Sequence, residues 1–276
     1  MPELPEVETI RRQLADRIVE RTFRRLTIRD PKFPSPAGPD ELIERVVGRR
    51  ITAVDRRGKY LLLALSSGED LVIHLRMTGE LRWRPGAPDE GERFVRAVFT
   101  LDDGASVTFA DMRRFGRGWV APGGSQGRRH WDDLLGVEPL SPRFSASLLE
   151  GLLAGRRGPL KGALLNQRLI AGLGNIYADE VLFAAGLHPE RVAGSLSRAE
   201  TVALHAAIVD RVRLAVDSGG SSIDTYRDAL GDSGSMQDHL RVHLRAGRPC
   251  VRCSDTVVKT RVVQRGSYWC PTCQRR

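Results

Sequence analysis

The sequence predicts an α+β protein with a strand-rich N-terminal part, a helical middle part and a small C-terminal segment that carries every cysteine. Short apolar runs separated by turn residues fill residues 21–122, which is typical of strands. Longer runs with helical spacing, each ending at glycine, follow from about residue 132. The four cysteines all lie between residues 250 and 273.

An N-terminal helix is predicted over residues 5–20. Pro5 suits the first turn, where its missing N–H costs nothing. One face of this helix is apolar, through Val7, Ile10, Leu14 and Ile18.

The strand-rich part predicts a sandwich or a flattened barrel, because its strands are short and regularly spaced. Ser67-Gly68 and Asp102-Asp103-Gly104 mark turns between strands. Residues 32–41 form a proline-rich loop, and the glycine-rich stretch 121–130 is a candidate domain border.

The helical part contains a capping box, in which Ser197 and Glu200 satisfy each other's backbone N–H groups at a helix start. An apolar stripe follows at helical spacing: Leu204, Ile208, Val212 and Val216. Residues 218–237 have little periodicity and many small polar residues, and they predict a long mobile loop.

Composition limits the class of protein. The hydrophobic fraction is 41% and no apolar run is long enough to span a membrane. The N-terminus has no signal-peptide pattern, so we expect a cytoplasmic protein, in which cysteines are more often metal ligands than disulfides.

The net charge of +9 is concentrated near the C-terminus. Residues 241–276 contain nine lysines and arginines but a single acid, Asp255. Such a focused positive field favours a polyanion such as nucleic acid, although a solvated basic tail is the simpler alternative.

The cysteine spacing is the most specific pattern. Cys250-x2-Cys253 is followed after sixteen residues by Cys270-x2-Cys273, the spacing of a four-thiolate site for one structural Zn²⁺. Such a site has no open coordination position, so the metal stabilises the fold and does not take part in catalysis. The alternating residues between the two pairs predict a β-hairpin with Arg265 and Gly266 on its second arm.

A glycine-containing turn, Gly172-Leu173-Gly174, predicts a helix start with Asn175 as N-cap. Exposed N–H groups at such a helix start can hold a phosphate. As a bare pattern, it is better explained by an ordinary helix–helix turn.

Seven motifs together resemble the formamidopyrimidine-DNA glycosylase family of bacterial base-excision enzymes. They occur in the order MPELPEVETIRR, RRGKYLLL, HLRMTG, DMRRFG, LGVEPLS, AGLGNIYADEVLFAAGLHP and QRGSYWCPTCQ. From the first motif to the last, they span nearly the whole chain. The resemblance implies a catalytic β-sandwich lobe (residues 1–125), a helix–two-turn–helix lobe (132–238) and a zinc finger (239–276), with DNA in the cleft between the lobes.

The resemblance also implies the chemistry of the N-terminus. Once Met1 is removed, Pro2 is the family's nucleophile and Glu3 is its acid. Lys59 resembles the lysine that assists β-elimination, and Arg265 the finger arginine assigned to δ-elimination. Without the resemblance, Pro2 and Glu3 would be an ordinary leader and Lys59 a surface cation beside a strand.

Further positions match DNA contacts of the family. Met77, Arg113 and Phe115 match a wedge that fills the gap left by a flipped-out nucleotide. His74, Asn175 and Arg265 match residues that grip phosphates, and Arg156 lies where the family has a basic DNA contact. Core packing for Met77 and Phe115, and a structural role for His74, are the alternatives.

The chain departs from the family pattern in three places. His243-Leu244-Arg245 stands where many relatives have Tyr-Gly-Arg, so the chain lacks the tyrosine that the resemblance assigns to a phosphate contact. Asn166 replaces a common aspartate, and Ser235-Met236-Gln237 replaces a more aromatic version of the loop that holds the flipped base.

The resemblance therefore predicts a monomeric, nucleoid-associated DNA glycosylase with lyase activity at apurinic or apyrimidinic (AP) sites. It is expected to remove oxidised purines opposite cytosine. One alternative is an endonuclease VIII-like enzyme for oxidised pyrimidines, which Leu4 disfavours because that group usually has glycine there. Another is a catalytically silent zinc-finger protein that only binds DNA.

Overall fold

The computed structural model describes residues 2–89, 91–223 and 225–275. These residues form two compact units. Unit 1 combines the chain up to residue 133 with residues 218–235, and unit 2 contains residues 134–217 and the chain from 236 onward. The expected removal of Met1 concerns a residue outside the described ones.

Unit 1 is built on two antiparallel four-stranded sheets. The first has the strand order β1-β6-β7-β5 and the second the order β2-β3-β4-β8. The strands are β1 (Phe23–Ile28), β2 (Ile51–Arg57), β3 (Tyr60–Leu65), β4 (Glu69–His74), β5 (Gly79–Arg84), β6 (Val95–Leu101), β7 (Ser106–Asp111) and β8 (Arg117–Pro122).

Apolar side chains from both sheets share one core, which includes Phe99 and Phe109 from the first sheet and Leu63 and Ile73 from the second. Burying apolar area in this way is the main stabilising contribution to a sandwich. The predicted α+β fold with an N-terminal β-sandwich is confirmed.

The N-terminal helix α1 (Leu4–Ile18) packs its apolar face into the same core. Its buried side chains include the four predicted from spacing, namely Val7, Ile10, Leu14 and Ile18. The prediction of a helix over residues 5–20 was correct to within two residues at each end.

Two helices of unit 1 were not predicted. Helix α2 (Pro39–Val46) lies inside the strand-rich part, with proline in its first turn and Leu42 and Val46 buried one turn apart. Helix α3 (Gly124–Leu134) occupies most of the glycine-rich stretch. Gly127 is needed there, because a Cβ at this position would lie 2.4 Å from the Pro122 carbonyl oxygen.

The segment 218–235 belongs to unit 1 although the helical part precedes it in the chain. Tyr226 and Ala229 are buried in the sandwich core, and Gln13 of α1 hydrogen-bonds the Ala229 N–H at 2.9 Å. The compact units therefore group residues differently from the expected lobe at 132–238. The three domain limits stay a prediction.

The described residues of unit 2 contain four α-helices, two short 3-10 helices (Ala193–Ser195 and Met236–His239) and a hairpin. The α-helices are α4 (Ala146–Leu153), α5 (Leu160–Leu165), α6 (Asn175–Ala185) and α7 (Arg198–Asp217), and the strands are β9 (Val258–Val262) and β10 (Arg265–Trp269). The predicted capping box is present: the Ser197 N–H donates to Glu200 at 2.8 Å, and the Glu200 N–H donates to Ser197 Oγ at 3.2 Å.

Within the described residues, no helix is both long and apolar enough to cross a bilayer.

Candidate active site and nucleic-acid interface

The N-terminal residues are fixed by the start of α1. Glu3 is the N-cap, and its backbone N–H donates to Glu6 Oε2 at 2.8 Å, one half of a capping box. Pro2 and Glu3 are both buried. A proline and a carboxylate are thus held together just before the positive end of a helix.

Glu6 also binds the segment 218–235. Its Oε1 accepts the Ser221 N–H at 2.8 Å, and its carbonyl oxygen accepts the Tyr226 hydroxyl at 3.2 Å. One carboxylate therefore contacts both the residue next to Pro2 and the loop that the resemblance assigns to the flipped base. Sequence reasoning did not single out Glu6.

Lys59 lies in the two-residue turn between β2 and β3. Arg57 pairs with Tyr60 across the turn, and Gly58 adopts a positive φ of 59°, as such a turn requires. Lys59 is only 8% exposed, which is unusual for lysine.

His74 lies close to Lys59. It pairs with Tyr60 across β3 and β4, with ring centroids 4.5 Å apart. Burial, together with the positive charges of Arg76 and Lys59, lowers the pKa of His74 to about 3. Its Nδ1 accepts the Arg76 N–H at 3.0 Å, so the neutral ring carries its proton on Nε2 and can donate it to a ligand.

The three predicted wedge residues lie on two loops of unit 1. Met77 is part of the turn between β4 and β5, and Arg113 and Phe115 lie between β7 and β8. The Arg113 guanidinium stacks over the Phe115 ring at 4.9 Å, and Phe115 is 47% exposed. The two side chains therefore form one exposed stacked pair at the surface of the loop.

Asn175 and Arg265 come together in unit 2. Asn175 Nδ2 donates to the carbonyl oxygen of Gly266 at 3.0 Å, and Gly266 directly follows the exposed Arg265. The prediction of Asn175 as N-cap was wrong by one residue. Gly174 is the N-cap, and Asn175 is the first helical residue because its side chain reaches the hairpin instead of the helix N–H groups.

A buried cluster behind this contact was not foreseen. Lys161 donates to the Asp179 carboxylate at 2.7 Å, to the Gly266 carbonyl at 2.9 Å and to Ser267 Oγ at 2.8 Å. His243 Nδ1 bonds the second oxygen of Asp179 at 2.8 Å. His243 is 7% exposed, so it is part of the support for β10.

Two basic residues of unit 2 bind helix ends. Arg156 is exposed, and its Nε donates to the Leu152 carbonyl near the end of α4 at 2.6 Å. Arg252 donates to the Phe183 and Ala184 carbonyls at the end of α6, at 2.7 and 3.0 Å. Part of the C-terminal positive charge therefore stabilises a helix dipole.

The four cysteines converge on one point. Their Sγ atoms all lie within 4.8 Å of one another, with Cys250–Cys273 at 3.8 Å and Cys253–Cys270 at 3.4 Å. Tetrahedral Zn²⁺ with Zn–S bonds of about 2.3 Å needs sulfur atoms about 3.8 Å apart. The four-thiolate donor set and the closeness of its sulfur atoms fit one tetrahedral zinc ion.

Comparisons with known proteins agree along the whole chain. Residues 1–118 match the formamidopyrimidine-DNA glycosylase N-terminal domain, residues 135–227 its H2TH domain, and residues 247–276 the zinc finger found in FPG and IleRS. A formamidopyrimidine-DNA glycosylase of Symbiobacterium thermophilum is 46% identical over 99% of this chain and 89% of its own. That of Pelotomaculum thermopropionicum is 41% identical over 100% and 99%.

Solved structures of Lactococcus lactis Fpg share the fold. A mutant bound to DNA containing Fapy-dG has a TM-score of 0.93 at 34% identity and full coverage of both chains. A complex with abasic-site DNA has a TM-score of 0.92 at 35% identity over 99% of this chain and 100% of that one. A complex with DNA containing an oxidised pyrimidine has a TM-score of 0.91 at 34% identity, again with full coverage.

Because family matches, relatives and solved structures agree from the first strand to the last cysteine, the chain belongs to the formamidopyrimidine-DNA glycosylase family.

Proposed function

We propose that the chain is a base-excision DNA glycosylase with AP lyase activity, which removes oxidised purines through a covalent Schiff base on Pro2. The observation that carries the proposal is the placement of Pro2 beside the buried carboxylate of Glu3, at the capped start of α1. Lactococcus lactis Fpg shares the fold; a mutant of it forms a complex with Fapy-dG DNA, and the protein forms a complex with abasic-site DNA.

The nucleophile is the secondary amine of Pro2, released when Met1 is removed. An α-amino group has a pKa of about 8, so a useful fraction is neutral near pH 7, unlike a lysine amine. The positive end of α1 favours this neutral form further. Proline also forms a cationic iminium without losing a second proton.

Excision begins as the Pro2 nitrogen attacks C1′ of the damaged nucleotide. The N–C1′ bond forms, the glycosidic bond breaks and the base leaves with a proton. Glu3 donates a proton to the ring oxygen as the sugar opens, which leaves an open-chain iminium.

Strand cleavage follows because the iminium acidifies C2′. Loss of a C2′ proton expels the 3′ phosphate (β-elimination), and a second elimination expels the 5′ phosphate (δ-elimination). Lys59 assists the first step, and Arg265 assists the second and holds a phosphate.

The remaining site residues bind DNA. The neutral His74 ring donates its Nε2 hydrogen bond to a DNA phosphate. Asn175 and Arg156 contribute further contacts to the DNA backbone. Met77, Arg113 and Phe115 fill the space left by the flipped nucleotide, which offsets an unstacking cost of a few kcal/mol.

Cys250, Cys253, Cys270 and Cys273 hold one Zn²⁺, which supplies shape to the finger and takes no part in the chemistry. The protein acts as a cytoplasmic monomer on damaged double-stranded DNA. Electrostatic attraction by the C-terminal basic residues supports this partner.

Borohydride trapping on a duplex containing 8-oxoguanine tests the proposal, since borohydride reduces the iminium to a stable adduct. Wild-type protein is expected to form a protein–DNA adduct through Pro2, Pro2→Gly to lose most of it, and Pro39→Ala, at the start of α2, to keep it. A wild-type protein that binds but never traps would be a silent DNA-binding protein. Mass spectrometry of active enzyme that retained Met1 would exclude Pro2 as nucleophile.

Oxidised pyrimidines are a second candidate substrate class. Lactococcus lactis Fpg also forms a complex with DNA containing an oxidised pyrimidine. Excision assays on matched duplexes with 8-oxoguanine or thymine glycol separate the two classes, and a higher kcat/KM on thymine glycol would reverse the proposed preference.

A further inference from the structure

The turn that carries Met77 is tightly closed. The Gly79 N–H donates to the Leu75 carbonyl at 3.0 Å, and a Cβ at Gly79 would lie 2.4 Å from that same oxygen. Only glycine fits this approach. The backbone around Met77 and Thr78 is therefore held in one conformation.

Asp111 organises the second wedge loop. It is the last residue of β7 and only 1% exposed. One oxygen, Oδ2, accepts the N–H groups of Phe115 at 2.8 Å and Gly116 at 2.7 Å. The other, Oδ1, accepts the Arg113 N–H at 3.0 Å. The carboxylate thus fixes the backbone beneath both Arg113 and Phe115.

Thr78 joins the two loops. Its hydroxyl donates to Asp111 Oδ1 at 2.5 Å, and its oxygen accepts the Arg113 N–H at 3.1 Å. A hydrogen bond to an ionised carboxylate is stronger than one between neutral groups. A single side chain next to Met77 is therefore bonded to the loop that presents Arg113 and Phe115.

The far side of the second loop is anchored independently. Arg114, between Arg113 and Phe115, has a positive φ of 60°. Its guanidinium bonds the buried Asp30 through two nitrogens, at 2.6 and 2.9 Å. Asp111 thus holds the backbone of the loop and Asp30 holds the Arg114 side chain. The side chains of Arg113 and Phe115 stay exposed.

We propose that Thr78 is a positioning residue that locks the Met77 turn to the Arg113–Phe115 loop through Asp111, so that the three wedge residues enter DNA as one rigid body. This inference rests on the proposed function of those residues. A wedge ordered in advance loses less conformational entropy on insertion, so more of its contact energy offsets base unstacking.

Thr78→Val removes the hydroxyl and keeps the shape, whereas Thr78→Ser keeps the hydroxyl. Thr52→Val is the matched control, because Thr52 is an exposed residue of β2 in the same unit whose hydroxyl donates to the Ala64 carbonyl at 3.3 Å. Single-turnover excision is measured on 8-oxoguanine opposite cytosine and on 8-oxoguanine in a one-nucleotide bulge. The bulge has no opposite base, so it leaves the wedge no gap to fill.

We expect Thr78→Val to lower the duplex-to-bulge rate ratio about tenfold, equivalent to about 1.4 kcal/mol. This is the size expected for losing a hydrogen bond to a carboxylate. Thr78→Ser should restore most of the ratio, and Thr52→Val should leave it unchanged. An unchanged ratio for Thr78→Val, or an equal loss on both substrates, would show that Thr78 does not position the wedge.

A measurement that does not depend on base excision distinguishes a failure of this inference from a failure of the proposed function. 2-Aminopurine beside the lesion brightens when the base stack opens, whether or not excision follows. A weaker or slower fluorescence rise for Thr78→Val supports the inference even if the wild-type protein never traps. A wild-type rise that Thr78→Val reproduces would overturn it.

Discussion

Lys161 and Asp179 form a fully buried ion pair in unit 2, with 2.7 Å between Nζ and Oδ1 and side chains 0% and 1% exposed. The pair connects α5 and α6 to the strand that begins with Arg265, since Lys161 also bonds Gly266 and Ser267. Buried pairs of this kind contribute little net stability when intact, but removing one partner leaves an uncompensated charge.

We therefore predict that Lys161→Met lowers the free energy of unfolding by about 3–5 kcal/mol. Lys161→Met combined with Asp179→Asn should recover part of that loss. Arg191→Met, which breaks the partly exposed pair with Glu200 at 3.2 Å, should cost about 1 kcal/mol or less. Urea denaturation measures all three, and a Lys161→Met loss no larger than that of Arg191→Met would contradict the prediction.

Leu244 adopts the left-handed backbone region, with a φ of 60°, and its side chain is 49% exposed. A non-glycine residue there is strained, while its exposed side chain gains little from burial. We predict that Leu244→Gly stabilises the protein by about 1 kcal/mol. Leu244→Ala keeps the Cβ and should not. Equal melting temperatures for the glycine and alanine variants would mean that backbone strain is not the cause.

Local patterns predicted much of this fold. The spacing of Val7, Ile10, Leu14 and Ile18 located α1, and the Ser197–Glu200 capping box located the start of α7, because both signals lie within a few residues of chain. Helix α2 was missed because it is only eight residues long and stands among strands, although Pro39 and the acidic residues after it are typical of a helix start.

The candidate catalytic residues were predicted through the family resemblance, whereas the four cysteines were predicted as zinc ligands from their spacing. Residues such as Pro2 and Lys59 carry no local signal for catalysis, so only the family motifs identified them. The supporting contacts could not be predicted, because their partners are distant in sequence: Lys161 meets Gly266, and Glu6 meets Ser221. His243 departs from the family pattern, but the sequence gives no indication that Asp179 would bind it.

Glu8 lies among three guanidinium groups, those of Arg11, Arg12 and Arg56. Burial by itself would raise the pKa of Glu8, but hydrogen bonds and charge from these arginines outweigh it and lower the pKa to about 2. The folded state therefore favours the ionised carboxylate more than the unfolded chain does.

The sign of the pH dependence follows from this difference. The stabilisation is complete above the ordinary glutamate pKa of about 4.3 and is lost as the pH falls through that value toward 2. We predict that Glu8→Gln lowers the melting temperature at pH 7 and that its gap to the wild type narrows toward pH 2. The exposed Glu150→Gln is the control, and a gap that stays constant from pH 7 to pH 2.5 would contradict the assignment.

Zinc removal should act on DNA binding through the hairpin. The four thiolates hold β9 and β10, and β10 begins at Arg265, whose neighbour Gly266 bonds both Lys161 and Asn175. A segment this small buries little core, so metal ligation stabilises its fold. We predict that a strong chelator releases one zinc per chain, measured with a colorimetric zinc dye. It should also weaken binding to DNA with a tetrahydrofuran abasic-site analogue, which the lyase cannot cleave, at least tenfold by fluorescence anisotropy. Readdition of zinc should restore binding, and Cys253→Ser should reproduce the loss without chelator. Metal-free protein that bound the same DNA with unchanged affinity would show that Arg265 and Asn175 are held by the helices alone.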